Sequence, residues 1–158
     1  DETADIMVVR LAVEKACAVA PEPGTVVLGA DTAVVLDGEV FGKPADRADA
    51  LRMLAMLSGR RHQVMTGVAV LAASTAESVL SVTEVTFRKI APDEALDYWQ
   101  SGEPRGKAGA YAIQGLGGTF VESIAGSYTG VVGLPVFETA ELLRSAGIEL
   151  PAELKDAL

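Results

Sequence analysis

Two short segments hold the residues best suited to chemistry, Gly29-Ala30-Asp31-Thr32 and Gly42-Lys43-Pro44. The apolar run Val26-Val27-Leu28 carries an acid and a hydroxyl to the end of a predicted strand. An Asp37-Gly38 turn then brings the chain back to a lysine. A carboxylate able to hold a metal beside an ammonium able to hold a phosphate is minimum equipment for work on a phosphate ester. Each residue also has a plainer reading: Asp31 as a turn former with Thr32 bonding local backbone, and Lys43 as a solvated surface lysine. A second cluster follows in Gly106-Lys107-Ala108-Gly109-Ala110-Tyr111 and Ile113-Gln114-Gly115. Small residues around Lys107 open the backbone to a ligand. The Gln114 amide offers a donor and an acceptor together, as reading a nucleobase edge requires. A loop lysine and a loop-stabilising amide are the alternatives. Lys15, beside Glu14, reads first as a solvated helix lysine. Neither GxxxxGK[ST] nor GxGxxG occurs.

The elements that must position these residues follow from pattern. Residues 4–20 have helical spacing and stop at Pro21 and Pro23. Residues 25–30 read as a buried strand, and 32–41 as a hairpin around Asp37-Gly38. Asp46 caps a predicted helix over 46–58, closed by Gly59. Strands are predicted at 62–72 and 79–88, paired antiparallel, with a polar turn at 73–78. Pro92-Asp93-Glu94 starts a helix that stops at Gly102. The glycine-rich stretch 103–118 precedes strand patterns at 119–124 and 128–132 and a last helix from 135 to 146. His62 is expected to begin a strand and satisfy local backbone, and Tyr98 and Trp99 to lie in the core. Interleaved helices and strands indicate an α/β domain with an antiparallel hairpin in a mixed sheet.

Composition narrows the classes. The chain has 158 residues, 49% hydrophobic, which suits one domain with a substantial core. No apolar run reaches the roughly 18 residues of a spanning helix. Cys17 is the only cysteine and His62 the only histidine, which excludes a disulfide framework and a multi-histidine metal site. The net charge of −9 argues against long nucleic acids as partners, but local lysines and a divalent cation can still hold a single nucleotide.

Taken in order, the segments resemble the Maf proteins, nucleoside triphosphate pyrophosphatases once described as septum-formation inhibitors. The resemblance runs through Arg10-Leu11-Ala12 with Lys15-Ala16, Gly29-Ala30-Asp31-Thr32, Gly42-Lys43-Pro44-Ala45-Asp46 and Leu57-Ser58-Gly59-Arg60 with His62. It continues through Thr66-Gly67-Val68, Gly102-Glu103-Pro104, Lys107 to Tyr111, Ile113-Gln114-Gly115 and Val132-Gly133-Leu134-Pro135. It implies a single Maf-like domain over 1–158 with an elongated mixed α/β sheet, flanking helices and two lobes around a cleft, similar to the inosine triphosphate pyrophosphatases. It implies cleavage between the α- and β-phosphates with Mg²⁺ or Mn²⁺, in the cytoplasm and away from any membrane, and is compatible with a homodimer. The glutamine segment looks like the dTTP/UTP-preferring branch.

Carried over by residue, the resemblance makes Asp31 the central acid, as metal ligand or base, with Glu2 as a second acid for metal or water. Lys15 and Lys43 would neutralise the triphosphate, Gln114 would read the base, Thr32 would support Asp31, and Lys107 would share the cleft. Two departures stand out. The family's opening strand and Ser-x-Ser-Pro-Arg-Arg loop are expected to be missing from this sequence, and Gly130 stands where asparagine is usual. Two other functions fit the same residues: a nucleotide sensor in cell division with little turnover, and a purine triphosphate pyrophosphatase.

Overall fold

Two glycines determine where the first helix lies. The computed structural model describes residues 2–19, 22–72 and 75–149. In chain order the elements are α1 (Ala4–Cys17), β1 (Val27–Leu36), β2 (Glu39–Phe41), α2 (Arg47–Leu57), β3 (Arg61–Ala72), β4 (Thr75–Phe87), α3 (Pro92–Gln100), β5 (Val121–Ala125), α4 (Tyr128–Val132) and α5 (Val136–Ser145). Helix α1 packs on β1 and β3. A Cβ on Gly29 would stand 2.2 Å from the Ala12 carbonyl oxygen, and one on Gly67 2.5 Å from that of Val8. No side chain fits there, so helix backbone rests on strand backbone. Buried Ala12, Ala16 and Ala69 continue the contact.

The strands form one sheet in the order β2-β1-β3-β4-β5. The α/β class holds, and every described pairing is antiparallel. Asp31 pairs with Gly67 and Thr32 with Thr66. Because side chains alternate along a strand, Gly29, Asp31, Gly67 and Ala69 belong to the α1 face. Thr32, Val34, Val64, Thr66, Val68 and Val70 belong to the other. On that second face Val68 and Val70 pack against Leu142 of α5. Val34 and Val64 join the main core with Phe41, Leu54, Leu57, Phe87, Tyr98, Tyr111 and Phe120.

Several local expectations are met. The β1–β2 hairpin turns at Asp37 and Gly38, both at positive φ (52° and 83°), as a tight two-residue connection requires. The Asp46 side chain accepts from the Asp49 amide at 2.9 Å and caps α2. Other boundaries differ. Helix α1 ends at Cys17, and positions 20 and 21 lie outside the described residues. Strand β1 does not stop at residue 30 but runs to Leu36, so Asp31 sits in mid-strand, held by β3. Strand β4 begins at Thr75, inside the expected 73–78 turn, whose residues 73 and 74 lie outside the described set.

The strand expected at 128–132 is the helix α4. Its β-branched Thr129, Val131 and Val132 suggested a strand, but capping prevails over propensity. The Ser127 hydroxyl accepts from the Gly130 amide at 3.0 Å, and Thr66 donates to the Gly130 carbonyl at 2.8 Å from the sheet below.

His62 opens β3, as expected, but in the core. It is 2% exposed, and its Nε2 shares a 2.9 Å hydrogen bond with the Tyr111 hydroxyl. Its ring meets Phe87 and Tyr111 edge-on at 4.8 and 5.6 Å. Burial pushes its pKa down to about 4. The unfolded chain therefore binds a proton between about pH 6.5 and 4 that the folded chain does not. His62 imposes no penalty above this window and its full penalty below it. Chemical denaturation should show wild type losing roughly 2 kcal/mol more than His62→Gln between pH 7 and pH 4.5. Carboxylate contributions are common to both proteins and cancel, so parallel stability curves would refute a buried neutral His62.

Candidate active site

Strand β1 joins β2 only at residues 34–36, so the edge of 27–33 has no described partner. An open cleft of about 270 Å³ includes residues 30–32 of that edge. Asp31 reaches it from the α1 face. Its side chain is 19% exposed, and Oδ1 accepts from the Lys15 ammonium. Lys15 also donates to the Ala30 carbonyl at 3.1 Å. Its position on the last turn of α1 and the close seating of α1 on the sheet bring these groups together. Asp31 Oδ2 makes no hydrogen bond among the described residues.

Thr32 reaches the cleft from the opposite face. Its hydroxyl lies 2.9 Å from that of Thr66, which in turn donates to Gly130. The strand floor is thereby fastened to α4, whose Val131 and Val132 also line the cleft. Lys43 arrives just after β2. The Gly109 amide donates to the Gly42 carbonyl at 3.1 Å, tying the Lys43 turn to the segment that carries Lys107. Gly109 itself stands at φ 66°, with Val34 3.0 Å from where its Cβ would be, so glycine is demanded twice over. Tyr111, Ala112 and Gln114 complete the wall.

Six of the seven residues singled out in the sequence thus line one cleft: Lys15, Asp31, Thr32, Lys43, Lys107 and Gln114. Glu2 does not. Its carboxylate takes both Arg10 Nε (2.6 Å) and another guanidinium nitrogen (2.7 Å). Those bonds hold it below the usual carboxylate range. Tyr111 also walls the cleft and bonds His62, a partnership that no local pattern in the sequence specifies. Only the shared aromatic and polar character of Phe87, His62 and Tyr111 hinted at it.

Electrostatically, the cleft opposes three ammoniums to one carboxylate in a chain of net charge −9. Lys43 and Lys107 have no ion-pair partner among the described residues, leaving their charge for an anion. The volume falls just below that of typical small-molecule sites, about 300–1,000 Å³. It suits one end of a larger ligand. Among the described residues no group of three or more acidic, histidine or cysteine side chains could hold a metal ion together. A cation such as Mg²⁺ needs only one or two carboxylates when substrate phosphates and water complete its shell. Asp31, with one oxygen free, fits that donor set.

The profile of the family described as Maf-like protein matches residues 1–146. The chain is 60% identical over 129 residues to a Bordetella parapertussis protein named dTTP/UTP pyrophosphatase, covering 82% of this chain and 62% of that one. A Bordetella avium protein of the same name is 56% identical over 129 residues, covering 82% and 64%. A Vibrio vulnificus protein of that name is 54% identical over 144 residues, covering 90% and 77%. The chain therefore spans a little under two thirds of the length of its Bordetella relatives.

The charge arrangement is testable without turnover. Inorganic pyrophosphate titrated by calorimetry should bind, and Lys43→Ala should raise Kd by about tenfold at low salt. The difference should shrink near 1 M salt, where the screening length is about 3 Å. Unchanged, salt-insensitive binding would remove Lys43 from the anion site.

Proposed function

The chain belongs to the Maf-like protein family, and on that premise we propose that it hydrolyses nucleoside triphosphates, dTTP and UTP before others. The products are the nucleoside monophosphate and pyrophosphate. The observation that carries this reading is the meeting of Asp31, three lysines and the Gln114 amide at one cleft. The names of the Bordetella and Vibrio relatives support the choice of substrate.

In this reading Lys15, Lys43 and Lys107 gather the triphosphate and offset charge that grows on its oxygens. Asp31 orients the attacking water and draws its proton. Oxygen from water bonds to the α-phosphorus, the bridge to the β-phosphate breaks, and the departing pyrophosphate keeps the bridging oxygen. A divalent cation on Asp31 would supply Lewis-acid polarisation of the phosphoryl oxygens. Glu2 would join that work only by giving up its bonds to Arg10. Thr32, bonded to Thr66, keeps the strand carrying Asp31 in register. Gln114 pairs with the donor–acceptor edge of uracil or thymine. Among the described residues no helix is long and apolar enough to cross a membrane, and a cytoplasmic house-cleaning role, the clearing of modified pyrimidine nucleotides, is part of this proposal.

Two measurements test it. Pyrophosphate release across a panel of nucleoside triphosphates should favour dTTP and UTP, and Asp31→Asn should cut kcat by roughly 10²–10⁴-fold with the fold intact. Wild-type turnover in folded Asp31→Asn would end the catalytic assignment. Gln114→Ala should lower kcat/KM for dTTP and UTP by roughly 10-fold and for ATP much less, flattening the preference. An equal loss on every nucleotide would move Gln114 from the base to the phosphates or the scaffold.

A further inference from the structure

Gln114 has a specific task in this reading, yet its side chain makes no hydrogen bond among the described residues and is exposed. Backbone must therefore hold it in place. That backbone is fastened by a residue outside the cleft. Glu103 Oε1 accepts from the Gly117 amide at 2.9 Å and from the Tyr98 hydroxyl at 2.6 Å, and Oε2 accepts from the Leu116 amide at 2.9 Å. The Tyr98 hydroxyl accepts in turn from the Ala112 amide at 3.1 Å. One carboxylate thus grips the chain on both sides of Ile113-Gln114-Gly115: directly after it, and through Tyr98 before it.

Neighbouring residues are shaped to this grip. A Cβ on Gly115 would stand 2.1 Å from Glu103 Oε2, and one on Gly117 2.5 Å from the Tyr98 hydroxyl. The Gly115 amide returns to the Ala112 carbonyl at 3.2 Å, so the segment closes on itself between the two anchor points. Tyr98 is buried among Phe87, Phe120 and the other core aromatics, while Glu103 is half-buried at their edge. Its pKa is pushed up by burial, but the Tyr98 bond, the two amides and the nearby Lys107 charge more than reverse this. The carboxylate stays ionised and accepts from all its donors at once.

We propose that Glu103 is the positioning residue for base selection: its carboxylate, braced by Tyr98, sets where Gln114 presents its amide. The proposal rests on the nucleotide reading above. It differs from a general structural role because the clamp spans only the segment from Ala112 to Gly117, while Asp31 and Lys15 are held by α1 and β1. Loosening it should therefore reach the base end of the ligand first, because of the phosphate-end groups only Lys107 lies near enough to feel the Glu103 charge.

Glu103→Gln tests this with size preserved, since its NH₂ group would face a donor in place of an acceptor. Relative to wild type, KM for dTTP and UTP should rise about tenfold while kcat changes less than about threefold, and ATP kinetics should hardly move. In combination with Gln114→Ala, Glu103→Gln should add little further loss on dTTP, because the two act as one unit. Tyr98→Phe, which keeps both amide bonds, should give a smaller shift in the same direction. A uniform loss on all nucleotides, a fall in kcat alone, or additive effects in the double variant would overturn the proposal. Hydrogen exchange separates this outcome from failure of the nucleotide reading. In Glu103→Gln the amides of Leu116 and Gly117 should exchange at least about tenfold faster, with β1 and α1 unchanged. Unchanged exchange there would refute the clamp, whatever the enzyme hydrolyses. A clamp that loosens as expected in a protein showing no pyrimidine preference would refute its role in base selection.

Discussion

The structure depends on one close contact, the backbone of α1 lying against the backbone of β1 and β3 at Gly29 and Gly67. Any side chain at either glycine would strike a helix carbonyl, so the helix would have to lift or turn. The helix carries Lys15, and the strand beneath carries Asp31, directly opposite Gly67. The Lys15–Asp31 ion pair is therefore a consequence of how two elements pack. A lysine left half in solvent gains little from such an attraction, even against a carboxylate only 19% exposed. Here the seating of the helix, fixed by small residues, sets their separation.

Strand alternation then makes one short segment serve both faces of the sheet. Asp31 faces the helix and its lysine. Thr32 faces Thr66 and, through it, α4. The cleft lies at the edge where the two faces meet, so it receives acid and cation from one layer and hydroxyl, loop lysines and amide from the other. The local field has the opposite sign to the whole chain's. At ordinary ionic strength distant carboxylates are screened over about 8–10 Å, so an anion in the cleft responds chiefly to Lys15, Lys43 and Lys107.

Much of this was legible in the sequence because local chemistry and tertiary need agreed. Asp37-Gly38 marks the hairpin that returns Lys43 to the cleft that Asp31 lines, and Asp46 marks the start of α2, each by a bond or dihedral confined to a few residues. The misreadings arose where a distant partner decided. Residues 128–132 carry strand-forming side chains, yet the Ser127 cap and the Thr66 hydroxyl make them helical. Asp31 looked like a strand end because glycine and an acid follow apolar residues, while pairing with β3 carries the strand five residues further. His62 looked local because nothing in its neighbourhood reveals Tyr111, 49 positions away. Glu103 appeared in the sequence only as the middle of Gly102-Glu103-Pro104. Its hydrogen bonds run 13 and 14 residues ahead, beyond what periodicity or turn chemistry can signal.

The two ends of the cleft are consequently built to different standards. Asp31 sits in the interior of a paired strand, beneath a helix that cannot approach or retreat without breaking the glycine seam. Its geometry is shared with the core, so sequence changes that move it should also cost stability. Gln114 sits on a segment without ladder partners, held by a carboxylate and a phenol at its margins. Such a segment can shift by changing one clamp residue while the core stays packed. The division suits the proposed hydrolysis of a phosphoanhydride, in which the chemical step requires fixed charge while the choice of base requires an adjustable amide. Under the proposed function, selectivity and catalysis would be set by separate parts of one wall, the first free to vary while the second is held by the fold.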